Sequence, residues 1–276
     1  MLNSVVLETA IALVFVYLLL SLICTAVNEW IAQLARLRAR TLKKAVECML
    51  PGKAATEFYQ HPLIKGLTEN VTVGPAYIPS GTFATAVRGI ITGNTVQRNV
   101  DDLRAAIEGL PNGDMKESLK AVLQDGTLSL EQAQLRIENW FNEVMQRVTG
   151  WYKRRLRYIT LAVAGVVTIA LNVDTLRIAE VVAKDTDLRL KLVAAAEQRT
   201  GQGAQGGTAP VTAAERNYLE RLGGWKAGEA EQIPARIPGW ILTMLAVSLG
   251  APFWFDVLNR AMTLRSAGRA PGEAKS

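Results

Sequence analysis

Residues with the right chemistry for catalysis or metal binding are few in this chain, and their spacing is poor. His61 is the single histidine; it precedes Pro62 and has no Cys or carboxylate cluster beside it, which does not suit a metal ligand. Cys24 lies inside an apolar run and Cys48 beyond it, a pair that fits two unpaired thiols and no disulfide framework. Gly201, Gly203 and Gly206 match the letters G-x-G-x-x-G. A phosphate loop needs a strand before it and a helix N-terminus after it, and here the glycines follow a helical pattern, so a flexible linker is expected. No G-x-S-x-G and no P-loop occurs. Asn70 opens a glycosylation sequon by letters, on a segment expected inside the cell, where it would be silent. These absences lead to an expectation of no enzyme activity and no cofactor.

The polar residues that remain sit at the ends of long apolar runs. Glu29, Asp256, Arg155 and Arg157 cluster at one boundary, and Asp174 closes a run at the other. Charge in hydrocarbon is costly, so such groups should pair or face water. They are candidates for membrane-edge ion pairs or, in a second reading, for an ion path.

Three apolar runs must position them. Residues 9–27 are free of charge and, at about 1.5 Å per residue, cover a hydrocarbon core of roughly 30 Å. The eight residues 1–8 carry no cation, only Glu8, so a cleaved signal peptide does not fit. Residues 158–173 form a second, shorter run, extended by Leu156 and by snorkelling of Arg157. Residues 237–255 form a third, with Trp240 and Trp254 placed as an aromatic belt and Gly250 and Pro252 as possible bend points.

The cations set a direction. Arg36, Arg38, Arg40, Lys43 and Lys44 follow the first run, Lys153, Arg154, Arg155 and Arg157 precede the second, and Arg260, Arg265 and Arg269 follow the third. The segment between the first two runs carries a surplus of roughly six positive charges, and the next segment is about neutral. Positive flanks collect in the cytoplasm, which predicts the N-terminus outside and the C-terminus inside. Lys43, Lys44, Lys153, Arg154, Arg155 and Arg157 are then expected to contact anionic lipid, each gaining about 1 kcal/mol. Topology accounts for these clusters, so nucleic-acid binding is not expected.

Between the runs, helical spacing dominates. Residues 28–50 continue the first run until Pro51-Gly52. Ser80 suits the cap of a short helix to Ile91, residues 99–110 and 114–123 a helical pair across the turn 111–114, and residues 213–222 a further short helix. Ser129 with Gln132 fits a capping box opening a long helix that enters the second run directly. The fold class expected is all-α: a transmembrane helix over 5–35, a helical cytoplasmic domain over 36–157, a second transmembrane helix over 158–174, an extracytoplasmic segment with a Gly-rich linker over 175–236, a third transmembrane helix over 237–258 and a cytoplasmic tail over 259–276.

The segments GWYKRR, LNVDTLRIAE and GAPFWFDVLN, with FYQHPLIKGL and AYIPSGTFA, resemble a family of bacterial integral membrane proteins that has no assigned function. The resemblance implies an inner-membrane location and supplies no catalytic residue. The functional expectation is a non-enzymatic scaffold or accessory subunit in contact with membrane lipids and with a protein partner or further copies of itself. The alternative is an oligomeric pore.

Overall fold

In the computed structural model the described residues, 3–68, 74–93, 95, 99–124, 128–225 and 233–267, are all-helical, with no strand among them. The sequon at Asn70 and the cation Arg269 lie outside them. The chain divides into two compact units: Met1–Ile31 with Leu156–Ser276, and Ala32–Arg155.

The first unit is built on α1 (Asn3–Leu34), which contains neither Gly nor Pro. Leu18, Leu19 and Leu20 are all fully buried. Three successive residues point around some 200° of a helix, so α1 is enclosed rather than packed on one face. Around it lie the end of α8 (Leu130–Ala170), α9 (Thr175–Lys184), α10 (Thr186–Gly201), a 3-10 helix (Gly203–Gly207), α11 (Ala213–Leu222), α12 (Ile233–Ser248) and α13 (Ala251–Ala267). α12 presents Ile237, Ile241 and Leu245 outward at a spacing of four, and α8 presents Tyr158, Val166 and Ile169. Such apolar stripes on an already cored unit suit contact with lipid.

One helix, Val5–Leu34, is long and apolar enough to cross a membrane, and up to three elements qualify if each bent pair counts as one. Both pairs are bent. α8 runs unbroken for 41 residues and then bends by 51° into α9. Asp174 makes that bend by capping α9, its Oδ1 accepting from the amides of Leu176 and Arg177. The expected third span over 237–258 is interrupted. α12 ends at Ser248, Gly250 takes φ +87°, and α13 leaves at 94°. A left-handed backbone at this position suits glycine.

The second unit contains α2 (Leu37–Met49), α3 (Lys53–Gln60), α4 (Pro62–Lys65), α5 (Ser80–Thr92), α6 (Val100–Glu108), α7 (Asp114–Val122) and the first part of α8. Phe58, Phe83 and Phe141 centre its own core, with the Phe83 and Phe141 rings stacked at 4.3 Å. The capping box stands as expected: Gln132 N donates to Ser129 Oγ, and Ser129 N to Gln132 Oε1. Ser80, by contrast, is the first helical residue of α5, and Pro79 occupies the cap position.

Candidate functional site

The polar groups of the first unit gather at two levels along α1. Glu8 opens the uncharged run, and Tyr17 is the ninth of its nineteen residues 9–27, close to the midpoint. At the Glu8 level the carboxylate accepts from Arg189 Nε at 3.3 Å and pairs with Arg265 at 3.8 Å. Arg265 also reaches Glu197 at 3.4 Å. Arg189 is nearly fully buried and spends its remaining donors on the carbonyls of Val182 and Ala183 and on Thr186 Oγ1. A buried cation this well satisfied is a structural clamp, because its hydrogen bonds offset the cost of leaving water.

At the Tyr17 level sits a hydroxyl chain. Tyr17 Oη donates to Thr175 Oγ1 at 3.0 Å, and Thr175 Oγ1 and Thr243 Oγ1 share a hydrogen bond of 2.8 Å. Thr243 Oγ1 in turn lies 2.8 Å from the Gly239 carbonyl. The buried carboxylate of Asp174 packs directly on the Cα of Gly239; a Cβ there would overlap Oδ1. Asn172, buried at φ +49°, donates to the Gly224 carbonyl, Gly224 N to the Leu171 carbonyl and Trp225 Nε1 to the Ile169 carbonyl. The carbonyls freed where α8 stops are thus taken up by the 222–225 loop, as a helix break inside a core requires. The spacing of the sequence suggested that Asp174 closes the second run at a membrane edge. The hydrogen bond from Tyr17 to its neighbour Thr175 sets Asp174 opposite the middle of α1.

Of the three glycines, packing accounts for Gly206, while Gly203 takes a left-handed φ of +62°. Gly201 ends α10, and Gly206 and Gly207 form part of the 3-10 helix instead of an open linker. The Phe255 ring lies on both; a Cβ on Gly207 would meet it at 2.9 Å. Buried Arg199 ties the turn, donating to the carbonyls of Gly206, Ala209 and Pro210 and to Glu215 at 2.7 Å. Glu215 completes a capping box with Thr212 on α11. No local pattern announces Arg199 or Arg189, since their partners are carbonyls and distant carboxylates.

The remaining sequence candidates are on the surface. Glu29, Arg157 and Asp256 are exposed in the first unit, and Lys44, Lys153, Arg154 and Arg155 in the second. Among the described residues none of Glu29, Arg155, Arg157 and Asp256 joins an ion pair; the inter-helix pairs of the first unit use Glu8, Glu197, Glu215, Arg189, Arg199 and Arg265. Lys43 is half-buried, its ammonium 5.8 Å from the Tyr59 ring centre. Trp254, placed by the sequence in an aromatic belt, packs at 4.7 Å on Tyr17, and its indole N–H is taken by the Ala246 carbonyl. Cys24 is buried, Cys48 exposed, and both are free thiols. No group of three or more His, Cys, Asp or Glu assembles among the described residues.

On the second unit, Ala32, Arg36, Arg38, Leu67, Gly74 and Tyr152 are among the residues lining a cleft of about 560 Å³. No family model, curated protein or solved structure matches this chain.

Proposed function

We propose that the protein is a non-enzymatic scaffold or accessory subunit of a bacterial inner membrane, holding the helical unit Ala32–Arg155 at the cytoplasmic face for a protein partner or a second copy. In this reading α1 crosses the bilayer. The apolar end of α8 with α9 crosses it as a bent element. α12 and α13 dip in and return on one side. The observation that carries the reading is the pairing of a membrane-length apolar helix, Val5–Leu34, with a separate helical unit that has its own aromatic core.

The cations exposed on the second unit, Arg36, Arg38, Arg40, Lys153, Arg154 and Arg155, support a cytoplasmic position for it. The N-terminus is then outside. The sequence alone would put the end of α13 inside because of Arg260 and Arg265. Arg265 is matched by Glu8 and Glu197, which favours the side of the N-terminus. A charge neutralised in this way is a weak topological signal. Purification of the full chain in mild detergent tests the scaffold. A stoichiometric companion or an ordered oligomer is expected, and a lone monodisperse monomer contradicts it.

A second reading, an oligomeric pore, is favoured by one observation: Asp174 and the hydroxyls of Tyr17, Thr175 and Thr243 meet where α8 breaks. Ionisable groups at mid-depth often mark ion paths. Sealed vesicles carrying the protein at high density would leak ions and Asp174→Asn would change the leak; tight vesicles contradict the pore.

A further inference from the structure

The cleft of the second unit has a two-part chemistry. Ala32, Ala39, Leu67, Ala76 and the Tyr152 ring supply an apolar wall. Arg36 and Arg38 supply two positive charges, and no Asp or Glu is among the described residues that line the space. Both guanidiniums are exposed, and neither makes an ion pair or a side-chain hydrogen bond among the described residues. The buried arginines Arg189 and Arg199, by contrast, each use several acceptors. Arg36 also stands at a left-handed φ of +45°, at the break between α1 and α2. Non-glycine residues rarely hold that conformation.

A cavity of this lining suits neither of the simpler ligand classes. A soluble phosphate would gain from the two arginines and nothing from the wall. An apolar molecule would leave two charges facing it. An amphiphile with an anionic head and an acyl chain satisfies both parts, since guanidinium binds phosphate oxygens through paired hydrogen bonds. Position agrees. Ala32, on the cleft wall, is five residues past Val27, the end of the uncharged run of α1. At about 1.5 Å per residue that is roughly 7 Å beyond the hydrocarbon, within the headgroup zone. Trp151 and Leu34, beside the lining residues Tyr152 and Gln33 in sequence, are both exposed, as residues resting in an interface would be.

We propose that this cleft is a binding site for one anionic glycerophospholipid, with Arg36 and Arg38 on the phosphate and Leu67 and Tyr152 against the upper acyl chain. The proposal rests on the membrane reading above and makes it specific: the other surface cations attract anionic lipid diffusely, whereas this site retains a single molecule through detergent extraction.

The test uses the full chain in detergent after delipidation, titrated with phosphatidylglycerol and read by native mass spectrometry. One lipid is expected to bind tightly. Arg36→Gln with Arg38→Gln should weaken that first event about tenfold or more. Arg40→Gln with Lys53→Gln, exposed residues outside the cleft, should leave it within about twofold. Phosphatidylcholine, with its neutral headgroup, should bind at least about tenfold more weakly. A photoactivatable phosphatidylglycerol should crosslink to the segment holding Ala76 or Tyr152.

Equal binding by the Arg36/Arg38 double variant, or by phosphatidylcholine, overturns the proposal. So does displacement of the lipid by millimolar inorganic phosphate, which would make the site one for a free anion. Circular dichroism of each variant guards against misfolding, and the crosslink in the native chain is decisive if a variant does not fold. Carbonate washing of membranes separates the two readings. A native chain that stays in the membrane but binds no lipid refutes only the cleft, and a chain that washes off refutes the membrane reading.

Discussion

Tyr17 Oη donates a 3.0 Å hydrogen bond to Thr175 Oγ1, across 158 positions of sequence, and so fixes the break between α8 and α9 against the middle of α1. Thr243 of α12 closes the same chain of hydroxyls, so three helices are tied at one polar point inside the core. Polar groups in such surroundings hold geometry because leaving one unmatched is costly. Tyr17→Phe and Thr243→Val are each expected to lower stability by about 1–2 kcal/mol, and the double variant by less than the sum. Thermal unfolding in detergent measures both; strict additivity would show that the two hydroxyls do not act together.

Gly239 is expected to tolerate no side chain. Even alanine would push into the Asp174 carboxylate, so Gly239→Ala should destabilise the first unit by about 1–3 kcal/mol. Asp174→Ser keeps a cap for α9 with a shorter side chain, and it should restore part of the loss when combined with Gly239→Ala. A double variant no better than Gly239→Ala alone would place the collision elsewhere.

Glu8 neutralises a nearly buried Arg189 and assists Arg265. Glu8→Gln should cost about 3–5 kcal/mol, because it strands charge where water does not reach. Arg265→Gln removes a partner of greater exposure and should cost much less. Equal losses from the two would contradict the burial argument.

The same ion pair bears on topology. Cys48, exposed on the second unit, is a natural marker for the cytoplasm, and Cys24 is buried. In a Cys48→Ser background, Val6→Cys and Ser266→Cys should both react with a membrane-impermeant thiol reagent on intact cells; native Cys48 should react only after the cells are opened. Reaction of Ser266→Cys only in opened cells would return the end of α13 to the cytoplasm.

Tyr59 offers a pH test of the second unit. Burial, followed by the nearby charge of Glu47, holds its phenol well above its ordinary value of 10.0. Its hydroxyl is buried without a hydrogen-bond partner. A group whose folded pKa is raised adds stability that is present below the unfolded value and lost as pH rises past it. Alkaline unfolding should therefore begin near pH 10, and Tyr59→Phe, which cannot ionise, should move it upward without loss of stability at neutral pH. An unchanged alkaline midpoint in Tyr59→Phe would remove this tyrosine from the account.

Local pattern carried much of this architecture, and its failures have one cause. The all-helical class, the Ser129–Gln132 capping box, the helix at Ala213–Leu222 and the pair α6 and α7 follow from spacing and caps within a few residues. Gly250 was visible as a bend point. The 94° turn was not, because it goes with Phe255 lying on Gly206 and Gly207, some fifty residues earlier. Asp174 closes the apolar run of α8 in the sequence, but that its neighbour Thr175 meets Tyr17 across 158 positions is in no local pattern. Arg189 meets Glu8 across 181 positions, a pairing that no window of sequence contains. The exposed residues Glu29 and Asp256 drew attention through their place beside apolar runs, yet the structure brings no partner to them among the described residues.

The central claim is that lipid is the solvent around the unit that encloses α1, meeting the exposed apolar stripes of α8 and α12, and extraction tests it most directly. Membranes bearing the full chain are washed with alkaline carbonate and centrifuged, and the protein is followed in both fractions. The account predicts that it remains in the pellet until detergent is added. Recovery in the detergent-free supernatant, folded and monodisperse, would contradict it.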